Sequence, residues 1–197
     1  MRAKPAARPI YNSALKGREW AGRDDYGETD FAETGRGVVF AHNVCEPLPE
    51  PMADRIALRA ECVYSEIPWP AARDTFYRRS GVTPRPHADY VAAVKALLDR
   101  FKKPAFIVAS KRDAIALAPD EMRLISLYGA PGWLAISRTS RVPEYRTNQD
   151  LIAGLAEAYH SVYDFSCGCG VALKPFAYCI GSDIDRKCLA YVAREIL

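Results

Sequence analysis

The hydrophobic positions of the chain form short runs separated by amphipathic segments from Gly37 onward. Five apolar runs, each bounded by polar or turn-forming residues, predict buried strands at 38–42, 61–65, 105–109, 162–165 and 177–181. Apolar residues repeat at helical spacing over His87–Phe101, which predicts an amphipathic helix. Further helical segments are predicted at 52–59, 112–117, 148–159, 171–174 and 186–197. Strands that alternate with helices predict a mostly parallel sheet with both faces covered.

Two segments depart from this alternation. Residues 122–128 and 133–137 flank the turn Gly129-Ala130-Pro131-Gly132, which predicts one antiparallel hairpin. Residues 1–36 are rich in charged residues and glycine and have no sustained period, so they are predicted to form an N-terminal arm. The arm is expected to be extended or partly disordered, with contact to a substrate as the alternative. The expected organisation is this arm followed by a single domain, 37–197.

The composition limits the class of protein. The chain has 197 residues, of which 49% are hydrophobic, and this suffices for one compact α/β domain. The formal net charge of +3, without a long Lys/Arg run, is compatible with a nucleic-acid partner but argues for it only weakly. No segment has the length and apolarity of a membrane span or a signal peptide, so the expectation is a cytoplasmic protein without membrane association.

The chain contains six cysteines, which are expected to be free thiols rather than a disulfide framework. Cys167, Cys169, Cys179 and Cys188 raise the alternative of a zinc site. Their spacing is not that of the paired knuckles of structural zinc, so no metal is expected.

A glycine-containing loop follows the predicted strand at 162–165. It reads Asp164-Phe165-Ser166-Cys167-Gly168-Cys169-Gly170. Glycines at alternate positions allow a sharp turn and a close approach to a ligand, at the end of a strand where open α/β sheets bind ligands. The next strand leads into Gly181-Ser182-Asp183-Ile184-Asp185, where a carboxylate can accept hydrogen bonds from ribose hydroxyls. The combination predicts a site for an adenosine-containing cofactor.

The stretch from Asp164 to Leu197 resembles the C-terminal portion of permuted amino-group DNA methyltransferases. That family carries an Asp-Pro-Phe-x-Gly-x-Gly loop, so this chain departs from it at Phe165 and Ser166. The resemblance implies S-adenosylmethionine as cofactor, with its ribose at Asp183 and Ile184. The loop around its methionine part would consist of Asp164, Phe165, Ser166, Cys167, Gly168 and Gly170. NAD is the lesser alternative, because a dinucleotide loop usually has a third glycine.

The position of these motifs has a topological consequence. The methyltransferase fold needs a third strand after the ribose-binding strand and its helix, and the run at 38–42 is the natural candidate. The expected fold is then a circularly permuted, Rossmann-like class I methyltransferase sheet. Asn43 would lie near the cofactor adenine, or would simply form a turn. Thr147 and Asn148 would contact the methionine carboxylate, or would cap the helix that follows.

The segment Glu66-Ile67-Pro68-Trp69 resembles the catalytic motif of the same family, Asp/Asn/Ser-Pro-Pro-aromatic. In that motif a polar side chain and a backbone carbonyl accept the protons of an exocyclic amino group, and the aromatic residue stacks on a flipped base. Glu66 is one methylene longer than Asp, and Ile67 lacks the rigid backbone of proline. The resemblance implies methyl transfer to an exocyclic amino nitrogen, with adenine N6 in DNA first. The alternative is a catalytically degenerate protein that binds cofactor or nucleic acid.

Basic residues follow this motif closely. A loop carrying Arg73, Arg78, Arg79 and Arg85 would hold phosphates beside the target base, or would be an ordinary solvated loop. The chain has no room for a separate target-recognition domain. We therefore expect low sequence specificity, or specificity supplied by a partner subunit or a homodimer. DNA is the expected partner ahead of RNA.

Overall fold

The computed structural model describes residues 27–117, 123–126, 133–137 and 148–197. Its strands are β1 (Phe31–Thr34), β2 (Gly37–Ala41), β3 (Cys62–Glu66), β4 (Ala105–Ser110), β5 (Arg123–Ser126), β6 (Trp133–Ser137), β7 (Ser161–Asp164) and β8 (Tyr178–Asp183). Its helices are α1 (Glu50–Arg59), α2 (Pro70–Arg79), α3 (His87–Phe101), α4 (Lys111–Leu117), α5 (Asn148–Ala158) and α6 (Arg186–Glu195). Apart from the segment 171–174, each predicted element is present with slightly shifted bounds.

The strands form one sheet in the order β1-β2-β8-β7-β3-β4-β6-β5. Strands β2, β8, β7, β3 and β4 are parallel to their neighbours in this series. If β7, β8, β2, β3 and β4 are numbered as the first to the fifth strand, their order across the sheet is 3-2-1-4-5, which is that of a doubly wound Rossmann sheet. The predicted α/β Rossmann-like fold is confirmed. The predicted third strand is also confirmed, because β2 pairs in parallel with β8 and Val39 lies opposite Gly181.

Both edges of the sheet are antiparallel. At one edge, β5 and β6 form the predicted hairpin, and β6 also pairs with β4, while the turn at 129–132 lies outside the described residues. At the other edge, β1 pairs with β2, so part of the predicted arm belongs to the sheet. Of the four residues of β1 only Ala32 is half-buried, which explains why the sequence shows no apolar period there. Residues 1–26 of the arm lie outside the described residues.

Two segments differ in structure from their prediction. Residues 70–79, expected as an arginine-bearing loop, form helix α2, whose buried face carries Arg73 and Tyr77 instead of an apolar stripe. Residues 171–174, expected as a helix, form successive turns with bonds from Leu173 N to Gly170 O and from Phe176 N to Leu173 O. Pro175 prevents a helix from continuing there, since it has no N–H to donate.

An apolar cluster covers each face of the sheet. Alternate residues of a strand face opposite sides, so Val38 and Val39 belong to different clusters. Helices α5 and α6 pack on one face through residues such as Leu155 and Val192, and α1 and α3 pack on the other through residues such as Ile56 and Val94. No helix in the described part of the chain has the length and apolar character required to cross a membrane.

Candidate functional site

Three carboxylates lie at the carboxyl edge of the parallel strands. Asp183 ends β8, Asp164 ends β7 and Glu66 ends β3. The register places Asp164 opposite Gly181 on one side and opposite Tyr64 on the other. The order of the sheet reverses direction at β7, and such a switch point is where open α/β sheets bind ligands.

The glycine loop is tied to the ends of both central strands. The backbone N–H of Gly168 donates to Asp183 Oδ2 at 2.8 Å, and that of Cys167 donates to the carbonyl of Ser182 at 3.0 Å. The backbone N–H of Ser166 donates to Asp164 Oδ1 at 3.1 Å. The loop therefore closes over β7 and β8 through its own backbone.

The two loop glycines have left-handed backbones but different surroundings. Gly168 has a φ of +50°, and a Cβ added there would meet nothing within 4 Å. Gly170 has a φ of +72°, and an added Cβ would lie 2.5 Å from Ile196 Cδ1 and 2.9 Å from Val192 Cγ2. Gly170 thus lets the loop pack on α6, whereas Gly168 leaves open space beside the Asp183 carboxylate.

Asp183 keeps hydrogen-bonding capacity for a ligand. Its Oδ1 accepts from the N–H of Asp185 at 2.8 Å and its Oδ2 from Gly168, and each carboxylate oxygen has a further lone pair. Burial raises the pKa of Asp183 to about 6, while the hydrogen bonds from the backbone oppose that rise. Ile184 is half-buried and precedes Asp185, whose side chain caps α6 by accepting from Lys187 N and Cys188 N.

The loop side chains are divided between the core and the site. Phe165 and Cys167 are buried in the two apolar clusters, so only their backbones line the loop. Asp164 is 3% exposed, and burial raises its pKa to about 8. At neutral pH the protonated form of Asp164 therefore predominates, and the site carries less negative charge than its carboxylates imply.

The end of β3 places four predicted catalytic residues in different surroundings. Glu66 is half-buried, Ile67 is fully buried in the core, Pro68 is half-buried and Trp69 is 46% exposed. Trp69 precedes helix α2 and accepts a hydrogen bond at its carbonyl from Arg73 N at 3.0 Å. Trp69 is therefore available to a ligand, whereas the Ile67 side chain serves the core.

The Tyr64 hydroxyl lies between two polar side chains, 3.0 Å from Glu66 Oε1 and 2.7 Å from Asn148 Oδ1. A hydroxyl has one proton, so either a protonated Glu66 or the amide N–H₂ of Asn148 must supply the second hydrogen. Burial raises the pKa of Glu66 to about 7, and the hydrogen bond from Tyr64 opposes that rise. Asn148 thus contacts Tyr64 of β3, and Thr147 lies outside the described residues.

The predicted phosphate-binding arginines do not form one group. Arg78 and Arg79 are exposed at the end of α2, and Arg85 is exposed and paired with Glu46. Arg73 is buried, with Nη1 3.0 Å from His87 Nδ1 and Nη2 3.0 Å from Asp74 Oδ1. The expectation that Arg73 lies on an open loop is wrong, because the guanidinium points into the protein and is satisfied there.

Two buried tyrosines make contacts that the sequence did not single out. The Tyr77 hydroxyl donates to Asn43 Oδ1 at 2.9 Å, and Asn43 Oδ1 also accepts from Cys45 N at 3.1 Å, as in a turn. Tyr90 is buried, and the guanidinium carbon of Arg73 lies 4.8 Å from the centroid of its ring. Tyr77 lies in a segment that the sequence predicts as a loop and Tyr90 lies in a predicted helix, and neither pattern gives a signal for these contacts.

Six free cysteines are present, and Cys169 Sγ lies 3.1 Å from Cys188 Sγ. Over the described ranges, no group of three or more His, Cys, Asp or Glu side chains is arranged to hold a metal ion.

Comparison with known proteins identifies no family. No family model matches the chain, and no curated protein matches it. Among solved structures, the chain is similar to the crystal structure of M1.HpyAVI, with a TM-score of 0.41 and 12% sequence identity. The similarity covers 81% of this chain and 98% of that chain. A similarity this weak carries no functional argument, so the function of the protein has to be inferred from its own geometry.

Proposed function

We propose that this protein is an S-adenosylmethionine-dependent methyltransferase that acts on an exocyclic amino group of a nucleic-acid base, with adenine N6 in DNA as the leading target. The observation that carries the proposal is the hydrogen bond from Gly168 N to Asp183 Oδ2 at the switch point of the sheet. This bond connects the glycine loop to Asp183, the residue proposed to bind the ribose of the cofactor. Glu66 lies at the same edge, at the end of the strand beside β7.

The sheet order supports a circularly permuted class I arrangement. The first and second strands in the Rossmann order are β7 and β8, late in the chain, and the third is β2, early in the chain. A class I fold whose chain was cut between its second and third strands would have this order.

The residues present fit S-adenosylmethionine. The space above Gly168 would admit the cofactor, the remaining lone pairs of Asp183 would accept from ribose hydroxyls, and Asn43 would lie at the adenine side. When bound, the cofactor supplies an electrophilic methyl group. Because burial raises the pKa of Asp164 to about 8, its side chain adds little negative charge to the loop at neutral pH.

The chain's own residues would handle the substrate. Glu66, when ionised, accepts a proton of the target amino group, and a pKa of about 7 makes this form increasingly available as the pH rises through neutrality. The exposed ring of Trp69 gives a surface on which a flipped base can stack. Arg78 and Arg79 would contact phosphates, with DNA preferred to RNA, and a partner subunit or second copy would add specificity.

One observation favours a second candidate. Ile67 is fully buried and Glu66 is already hydrogen-bonded to Tyr64, so the motif could serve structure alone. In that case the protein is a catalytically inactive methyltransferase-fold protein that binds the cofactor or nucleic acid.

Calorimetry with S-adenosylmethionine tests the cofactor site. We expect wild type to bind, and Asp183→Ala to weaken binding by about 100-fold, because hydrogen bonds to a charged group are worth about 1.5–3 kcal/mol each. Asp54→Ala, an exposed carboxylate of α1, is the matched control and should bind as wild type does. The absence of wild-type binding at millimolar cofactor, or equal binding by Asp183→Ala, would contradict the proposal.

Labelled cofactor incubated with DNA, RNA and free nucleosides separates the two candidates. Methylation of DNA that is lost in Glu66→Gln supports the enzyme. Cofactor binding without any labelled product, in wild type and in Glu66→Asp, supports the inactive protein.

A further inference from the structure

The Tyr64 side chain connects the end of β3 to the start of α5. Tyr64 and Glu66 are two residues apart in β3, so their side chains lie on the same face of the sheet. Helix α5 packs on that face, and its first residue, Asn148, contacts the Tyr64 hydroxyl. Because Tyr64 is 1% exposed, its hydroxyl would be costly to bury without hydrogen bonds. The two bonds remove that cost and hold Glu66 and Asn148 in place relative to each other.

The single proton of this hydroxyl allows two arrangements. In the first, the Tyr64 hydroxyl donates to Asn148 Oδ1 and accepts from a protonated Glu66. In the second, it donates to an ionised Glu66, and the Asn148 amide has to turn so that its N–H₂ donates to the hydroxyl oxygen. In the structure Asn148 Oδ1 faces the hydroxyl at 2.7 Å and Glu66 Oε1 lies at 3.0 Å, which corresponds to the first arrangement. Ionisation of Glu66 and reorientation of the Asn148 amide are therefore linked.

Asp164, at the end of β7, is a further ionisable group beside this pair and lies opposite Tyr64 in the register of the sheet. Burial is the main cause of its raised pKa, and charge on Glu66 adds to the rise. Because the pKa is about 8 for Asp164 and about 7 for Glu66, Glu66 ionises first as the pH rises. A donor that points at a carboxylate favours its ionised form, so the Tyr64 hydroxyl acts on the group that ionises first.

We propose that Tyr64 and Asn148 are positioning residues for Glu66, in which the Tyr64 hydroxyl redirects its proton from Asn148 to Glu66 when Glu66 ionises and the Asn148 amide turns in response. The part of Glu66 as acceptor of an amino proton rests on the proposed function, whereas the exchange of hydrogen bonds does not. Tyr64 and Asn148 both lie outside the motif at residues 66–69.

Carbon-13 NMR of protein labelled at the glutamate carboxyl carbons measures the ionisation of Glu66 without interference from Asp164. The Glu66 signal is assigned by its loss in Glu66→Gln. Tyr64→Phe removes only the hydroxyl, so ionised Glu66 loses a donor, and its ionisation should become about tenfold less favourable, which raises its pKa by about 1. Tyr163→Phe is the matched control, since the Tyr163 hydroxyl lies 3.1 Å from Ser182 Oγ in the other apolar cluster, and it should leave the Glu66 titration unchanged.

The side-chain amide of Asn148 reports the second half of the exchange. Its nitrogen-15 signal, assigned by its loss in Asn148→Ala, should titrate in wild type with the same midpoint as the Glu66 carboxyl. In Tyr64→Phe the amide signal should no longer follow Glu66, because the hydroxyl that links the two side chains is gone. If Tyr64→Phe does not fold, the wild-type titration decides, and an Asn148 signal that stays fixed while Glu66 ionises would overturn the proposal.

The pH dependence of methyl transfer separates this inference from the proposed function. If Glu66 accepts the amino proton, the midpoint of kcat/KM in Tyr64→Phe should move to higher pH by the same amount as the NMR titration, because kcat/KM reports the free enzyme. An unchanged Glu66 titration in folded Tyr64→Phe would overturn the positioning role whatever the activity. A raised Glu66 pKa together with a linked Asn148 signal, in a protein that methylates no nucleic acid, would support the positioning role and contradict the proposed activity.

Discussion

Around the glycine loop the groups that face the site are backbone amides and carboxylates, whereas around residues 66–69 they are the side chains of Glu66 and Trp69. In the loop, Phe165 and Cys167 point into the core and the N–H groups of Ser166 and Gly168 bond to carboxylates. A site made by backbone depends on φ angles and on packing. A site made by side chains depends on the identity of each residue.

This difference bears on the two proposed sites, because each departs from the methyltransferase motif that it resembles. The changes at Phe165 and Ser166 leave the loop backbone able to turn at Gly168 and to bond Asp183. Glu66 in place of a shorter residue would move the oxygens that are proposed to accept the amino protons, and its carboxylate is hydrogen-bonded to Tyr64. The proposed cofactor site therefore tolerates its departures better than the proposed catalytic motif does.

The largest expected effect distinguishes the two loop glycines. Gly170→Ala should lower the free energy of unfolding by about 3 kcal/mol, because the left-handed backbone costs about 1–2 kcal/mol and the added Cβ overlaps Ile196 and Val192. Gly168→Ala should cost only about 1 kcal/mol, because it meets no neighbour. Urea unfolding measures both. Equal losses would show that loop packing on α6 does not distinguish them.

A second pair of substitutions tests the proposed catalytic motif, residues 66–69, in the same way. Ile67→Ala should lower the free energy of unfolding by about 3 kcal/mol, since it opens a cavity in the core. Trp69→Ala should change it by about 0.5 kcal/mol or less, yet weaken binding of a single-stranded oligonucleotide by about 1–3 kcal/mol through lost stacking. Unfolding curves and fluorescence titration give the two readouts. A stability loss at Trp69 as large as that at Ile67 would place both side chains in the core.

The elements with strong apolar periods were predictable, and so was the place of β2 beside β8, because the fold leaves one position open for a third strand. Helix α2 was not predictable, because its buried face carries Arg73 and Tyr77 and the sequence therefore shows no apolar stripe there. The carboxylates of the site were also visible in the sequence. The polar contact of their neighbour Tyr64 was not visible, because a tyrosine in an apolar run has the same pattern whether its hydroxyl is used or not.

The pH dependence of stability should be carried more by Asp164 than by Glu66. Burial raises the pKa of Asp164 to about 8 and that of Glu66 to about 7, whereas both are near 4 in an unfolded chain. The folded state therefore binds more protons than the unfolded state from about pH 4 up to these values, so the free energy of unfolding falls as the pH rises through this window and levels off above it.

Urea unfolding at about pH 5.5 and about pH 8.5 should show a drop in wild type of about 1 kcal/mol or more, with a smaller drop in Asp164→Asn, which cannot ionise but still accepts from Ser166 N. Glu66→Gln should reduce the drop by a lesser amount, and Asp54→Asn, on the exposed face of α1, should leave it unchanged. If Glu66→Gln reduced the drop in the free energy of unfolding more than Asp164→Asn does, Glu66 and not Asp164 would carry most of the pH dependence. It would mean that the end of β3, and not the end of β7 beside the glycine loop, holds the more strongly desolvated carboxyl group.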